Sequence, residues 1–492
     1  MSIFKPNLFK SFEEKGEWWI PKYPDNKVVG TISYKGSEGI ILELLGSFFG
    51  PEHFIERDEF NPRIILGLTN DGELLTLLEN MVIHQGRSSR GGTGTIKYMS
   101  NYLFIGEHFN SSDEMRFNSC SLNYTLLEEW VGKLPFKTEF IKENNKYVGE
   151  KAIHTEREEF KVKVPTLDAT VSIWHGFGGS TGGFRKLVWT HTAYLSVSPE
   201  QPRDFEWFRK VQYELRNFLS LLIGRPVYLK RANFLIEKLK EDDERDRRNV
   251  VHLYFIQQTP RQQKRMHPMD MLVRLDDIEE NIATILEAWF SKAENFEDVY
   301  QLFIGAMYGQ NMYTHLHFLT LMQALETYHR STREGQYISE EDYQKVFAAL
   351  ITAIPAGTES SLKASLKARL KYGNEYSLRK RIKLLLDELT EDCRMLITKE
   401  PNNFISSVVD TRNYLTHYDR SLKPDVLEDA DLYNASLSLK VFLTIFLLKE
   451  LEIKEQKIVE LLSRNNPAVK ESIRLVEYEE DRKSHQTKQL EE

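Results

Sequence analysis

The sequence predicts an α+β protein, with an N-terminal β-rich, sandwich-like domain followed by a C-terminal all-helical bundle. Two patterns carry this. Before residue 257 the apolar residues fall in short β-branched and aromatic runs separated by Gly, Asn and Asp turn signals. Beyond residue 268 they recur at spacings of three and four, the period of amphipathic helices. A third observation is length: 492 residues exceed what one ordinary core accommodates, so more than one domain is expected.

The elements follow in order. Val28–Tyr34 and Ile40–Leu45 flank Lys35-Gly-Ser-Glu-Gly39, a hairpin connection. Arg63–Leu68 and Glu73–Leu78 flank Thr69-Asn-Asp-Gly72, whose Asp-Gly step supplies the positive φ of a tight turn. Ala169–Trp174 and Lys186–Val197 bracket a glycine cluster, and Val250–Ile256 is a further strand. Phe208, Val211, Leu215, Phe218 and Leu222 mark one helix, ended by Gly224-Arg-Pro226. The polar, basic stretch Gln257–Pro268 closes the first domain, assigned to 1–268. Helical stripes then run through Ile278, Ile282, Ile285 and Trp289, through Phe318, Met322, Leu325 and Tyr328, and through Leu437, Val441, Ile445 and Leu448. Residues 269–465 are therefore a helical bundle, and 466–492 a polar, frayed tail.

Composition narrows the functional classes. Lys and Arg number 65 against 73 Asp and Glu, a net charge of −8, so any nucleic-acid surface must be a local patch. Cys120 and Cys393 cannot supply a disulfide framework or a four-cysteine zinc site, and a reducing cytoplasmic setting is expected. The apolar runs near Ile40–Phe49 and Val441–Leu448 fall short of the roughly 20 residues of a membrane span. His315 and His317 sit about 200° apart on a helix, so they do not converge on a metal. Neither a metal nor a cofactor is expected.

Two glycine-rich segments invite a phosphate-loop reading. In His175-Gly-Phe-Gly-Gly-Ser-Thr-Gly-Gly183 no Gly-Lys-Ser/Thr and no helix follows, so a hairpin loop is expected. Gly86-Arg-Ser-Ser-Arg-Gly-Gly-Thr-Gly94 carries Arg87 and Arg90 and reads as a solvated loop.

The chemistry concentrates in Phe404–Arg420. Ile405, Val408, Val409, Tyr414 and Leu415 form an inward helical face, and Arg412, Asn413 and His417 are polar groups on the same helix. Asn413 and His417 share a face; Arg412 starts about 140° away and reaches it through its long stem. Ser421–Pro424 breaks the helix, so His417 lies near a C-terminus, where the helix dipole favours positive charge. Arginine, an amide and histidine can compose a metal-free phosphodiester site, in which histidine moves protons, guanidinium holds non-bridging oxygens and the amide orients; residue types alone equally allow a histidine and an arginine that merely cap a solvent-exposed helix end.

Arg412-Asn-Tyr-Leu-Thr-His417 resembles the Arg-x₄₋₆-His signature of the HEPN ribonucleases. His317-Phe-Leu-Thr-Leu-Met-Gln-Ala-Leu-Glu-Thr-Tyr-His-Arg330 and Ser377-Leu-Arg-Lys-Arg-Ile-Lys-Leu-Leu-Leu386 resemble the ApeA-like branch of that superfamily. Gly30-Thr-Ile-Ser-Tyr34 and Ile41-Leu-Glu-Leu-Leu-Gly-Ser-Phe48 are similar to the domain that precedes the HEPN unit there. The resemblance implies an anti-phage, abortive-infection endoribonuclease, active as a homodimer or higher even oligomer. It implies RNA as substrate, with tRNA the class it suggests, and a phage-derived trigger sensed by the N-terminal domain.

Two further features of the sequence stand beside it. Lys363, Lys367, Arg369, Lys371, Arg379, Lys380, Arg381 and Lys383 accompany one acid, Glu375, and form either a solvated helical face or a candidate RNA-binding stripe with Tyr372 and Tyr376 as stacking rings. Glu326 could support the site, although an i, i+4 ion pair with Arg330 also accounts for it. The rival class is a non-catalytic ligand-binding protein whose helices only dimerise; an intact Arg-Asn-x-x-x-His favours the enzyme.

Overall fold

A computed structural model describes residues 7–49, 61–86, 94–132, 135–156, 159–181, 187–237, 248–257, 266–309, 312–418, 421, 423 and 426–464. The chain divides into two compact units, which meet in sequence between Glu287 and Ala288, with Gly224–Pro226 counted in the second.

The first unit is built on strands β1 (Phe12–Ile20), β2 (Tyr23–Lys35), β3 (Gly39–Leu45), β4 (Ile64–Thr69), β5 (Leu74–Gly86) and β6 (Thr95–Ile105). Their antiparallel pairing runs β6-β3-β2-β1-β4-β5 and returns to β6, so these six strands close into a barrel. Alternate residues are buried, Val28, Ile32 and Tyr34 on β2 and Ile40, Leu42 and Leu44 on β3, the period of a strand with one face in the core. The Trp18 ring lies where a Cβ on Gly67 would stand, so only glycine permits that approach.

The rest of the unit comprises β7 (Arg116–Phe117), β8 (Ser119–Tyr124), α1 (Leu127–Val131), β9 (Phe136–Glu143), β10 (Lys146–His154), β11 (Phe160–Val164), β12 (Ala169–Thr181), β13 (Leu187–Pro199), β14 (Arg203–Asp204), α2 (Phe205–Ile223), β15 (Leu229–Glu237) and β16 (Arg248–Phe255). The far end of β6 pairs with β16, and the sheet continues through β15, β8, β13, β12 and β11. The sandwich-like arrangement read from alternation thus takes the form of a barrel with an open sheet extending from it. The α2 stripe Phe208, Val211, Leu215, Phe218 and Leu222 is buried as its spacing predicts, and Phe208 meets Phe117 and Phe234 edge-on.

One local expectation is corrected. Gly176, Gly178 and Gly179 are not loop but strand, in register with Thr192, Thr190 and Trp189 on β13. The cross-strand ladder overrides their turn preference. The turn itself, and Arg87 and Arg90 of the other glycine-rich segment, lie outside the described residues.

After α3 (Leu275–Ile278), the second unit contains α4 (Ile282–Lys292, begun in the first), α5 (Glu297–Tyr308), α6 (Thr314–Thr332), α7 (Glu340–Ala353), α8 (Ser360–Lys371), α9 (Leu378–Asp387), α10 (Glu391–Met395), α11 (Pro401–His417), α12 (Asp429–Glu450) and α13 (Glu455–Ser463). Helix α6 is its hub, packing against α5, α9, α11 and α12. Tyr328 of α6 lies 5.2 Å from Phe446 ring to ring and donates its hydroxyl to Glu450 at 2.7 Å. Helix α12 extends well beyond the Val441–Leu448 run and is long and apolar enough to cross a bilayer. However, 67% of its apolar window is buried inside the fold, which identifies it as a core helix.

Candidate active site

Helix α11 starts on Pro401, a residue pre-shaped for the first helical turn, and ends when Tyr418 turns left-handed at φ 52°. Ile405, Val408, Val409 and Thr411 are buried, and Thr411 accepts a hydrogen bond from the Leu427 backbone at 2.9 Å. The last turn is more open than its apolar content predicts: Tyr414 and Leu415 are half-buried rather than inward, and Thr416 and His417 are exposed. His417 is therefore presented at the helix end.

Arg412 donates from Nη1 to Asn413 Oδ1 at 3.2 Å, so its guanidinium has swung toward the face that Asn413 shares with His417. Its Nη2 stands 3.7 Å from Glu326 Oε2 on α6. Glu326 also takes the expected i, i+4 partner, accepting from Arg330 Nε at 3.2 Å and Nη2 at 3.0 Å. Glu326 thus faces both Arg330 and Arg412.

The charges continue beyond Glu326. Arg330 donates to Glu375 at 2.7 Å, and Glu375 lies 3.8 Å from Arg381. Arg381 is 2% exposed and shares a 3.0 Å hydrogen bond with Nδ1 of His329, which is 0% exposed. It also donates to the Tyr376 carbonyl at 3.1 Å. Burial, with the charges of Arg381 and Arg333, pulls His329 down to about 4, so its ring is neutral and Nδ1 accepts.

These contacts revise the basic stripe. Arg381 cannot meet RNA, because it faces the core; it lies one turn before Leu385 on the buried face of α9. Arg379 is engaged by Asp410 at 3.0 Å and Ser406 at 2.7 Å, Lys383 lies 3.8 Å from Asp387, and Lys380 sits over Tyr337 and Tyr376. Tyr376 packs edge-on against Tyr337 and is half-buried, whereas Tyr372 is exposed. Lys363, Lys367, Arg369 and Lys371 lie on α8, which buries no residue, and among the described residues they make no ion pair. Within the stripe, the exposed cations of α8 make no ion pair among the described residues, and Lys371 lies 5.9 Å from the centre of the Tyr372 ring.

Sequence reasoning missed the roles of Arg330, Glu375 and His329, although the i, i+4 spacing of Arg381 with Leu385 marks the inward face of α9. Among the described residues, no group of three or more His, Cys, Asp or Glu side chains is placed to hold a metal ion. His317 is half-buried near Lys440, and burial lowers its pKa.

Comparison with known proteins bears on both units. Residues 13–289 match the family model described as ApeA N-terminal domain 1, and residues 319–457 match the one described as Apea-like HEPN. No curated protein and no solved structure matches the chain.

Proposed function

The chain belongs to the ApeA-like HEPN family, and on that premise we propose that it is a metal-independent endoribonuclease of anti-phage abortive infection, with Arg412, Asn413 and His417 at its site. The observation that carries the reading is the Arg412–Asn413 hydrogen bond beside an exposed His417. It gathers a guanidinium and an amide toward one face of α11, whose end bears the imidazole.

The reaction this set suits is transesterification. The RNA 2′-oxygen attacks phosphorus, the bond to the 5′-oxygen breaks, and the products are a 2′,3′-cyclic phosphate and a 5′-hydroxyl. An imidazole accepts the 2′-hydroxyl proton or supplies one to the leaving 5′-oxygen. The Arg412 guanidinium holds the non-bridging oxygens as negative charge accumulates, and Asn413 orients it. One chain brings one such imidazole, whereas base and acid act on opposite sides of the phosphate. A twofold pair of chains supplies both, so the active form in this reading is a homodimer or higher even oligomer.

In the same reading residues 1–268 sense a phage-derived trigger, 269–465 form the nuclease, and the protein works in the cytoplasm; the segment 466–492, expected to be a tail, lies outside the described residues. RNA is captured by Lys363, Lys367, Arg369 and Lys371, with Tyr372 as a stacking ring. The test uses purified protein and RNA in EDTA, with product ends mapped. Cleavage should persist under chelation and leave cyclic phosphate ends. A single 2′-deoxy substitution at the scissile nucleotide should block it; cutting of that substrate at the same bond would refute the mechanism.

A further inference from the structure

Glu326 is shared unequally by two arginines. Arg330 takes it through two donors at 3.2 and 3.0 Å, whereas Arg412 stands off at 3.7 Å. Arg330 is fixed from the other side by Glu375 at 2.7 Å, and Glu375 faces the buried Arg381 at 3.8 Å. Arg381 is anchored in turn by the neutral His329 and the Tyr376 carbonyl. The charges alternate along this chain, Arg412, Glu326, Arg330, Glu375, Arg381, with three cations to two anions. Arg412 occupies the outer end.

A guanidinium that must clamp a phosphodiester needs free donors and uncompensated charge. A lone carboxylate at this distance would close on Arg412 as a two-point pair and compete with the phosphate. We propose that Arg330 is a positioning residue: by occupying Glu326 it keeps Arg412 aligned but available to the phosphate of RNA. The inference rests on the reading of Arg412 as the phosphate clamp and extends it to Arg330, with Glu375 behind it.

The test compares full-length variants in RNA cleavage and in affinity for a short RNA whose 2′-hydroxyls are all methylated, which reads phosphate binding without turnover. Arg330→Gln should lower kcat about tenfold and weaken the methylated RNA, because Glu326 is released onto Arg412. Glu326→Gln/Arg330→Gln should return both to within about twofold of Glu326→Gln alone, since no carboxylate remains to compete. Arg330→Gln/Glu340→Gln has the same net charge as that double variant, but Glu340 is an exposed residue at the start of α7. It should remain as poor as Arg330→Gln. A merely structural role would leave the first double variant no better than Arg330→Gln, and that result overturns the proposal. So does equal rescue by Glu340→Gln, or a wild-type Arg330→Gln. Arg412→Ala separates the two levels. If it retains wild-type cleavage and binding, the clamp assignment falls; if it is inactive while Arg330→Gln is unaffected, only the role of Arg330 is lost.

Discussion

Replacing Lys363, Lys367, Arg369 and Lys371 together by glutamine tests where RNA is captured. All four are exposed on α8, which buries no residue, and glutamine has nearly their helix propensity, so the fold should be little affected. Binding of a single strand loses about 0.7 in the slope of log affinity against log salt for each phosphate contact removed. Four contacts therefore flatten the slope by about 3. Between ~50 and ~200 mM salt the advantage of wild type over the variant should shrink about fiftyfold. The assay is fluorescence anisotropy with a methylated RNA across a salt series, with light scattering to check mass. An unchanged slope would refute the reasoning and show α8 to be an ordinary solvated helix.

Other expectations address the site and its support. His417→Ala and Arg412→Ala should each reduce cleavage by about 10³ or more with the melting temperature nearly unchanged, and Asn413→Ala should cost less, in single-turnover assays. Because His329 is neutral when folded, down to about 4 against an ordinary 6.5, the unfolded chain binds the extra proton between those values. Stability should therefore be complete above pH 6.5 and fall on acidification toward pH 4, by up to roughly 3 kcal/mol from this group, and urea titrations of wild type and His329→Asn should differ by that pH-dependent increment. Arg381→Ala leaves the Nδ1 of His329 and the Tyr376 carbonyl without their donor, so it should destabilise the fold by about 3 kcal/mol in denaturant unfolding rather than flatten the salt slope.

Much of this molecule is legible in local pattern. The change from period two to period 3.6 near residue 268 separates sheet from helix, because each period reports which side of one element is buried. Gly39 and Gly72 mark their hairpins through positive φ. Asn413 and His417 share a face because helical spacing alone decides it. Other features lie outside local pattern. Strand β1 is hard to read because Gly16 occupies a buried position in a charged run. Closure of the barrel depends on β6 pairing with β3 and β4 pairing with β1, contacts between segments far apart in the chain, which alternation within a strand does not encode.

The basic stripe shows the same division. Composition identifies eight cations between Lys363 and Lys383, but only packing separates the four exposed ones on α8, which make no ion pair among the described residues, from the buried Arg381, from Arg379 and Lys383 beside carboxylates, and from Lys380 over Tyr337 and Tyr376. The sequence by itself determined the two-part architecture, since the apolar period changes from strand to helix along the chain, and it put Asn413 and His417 on one face of α11, since spacing along one helix decides that. Tertiary structure alone decided that Glu326 stands between Arg412 and Arg330, because a carboxylate's partners depend on which helices come together, and α6 meets α11 through a fold that no local period specifies.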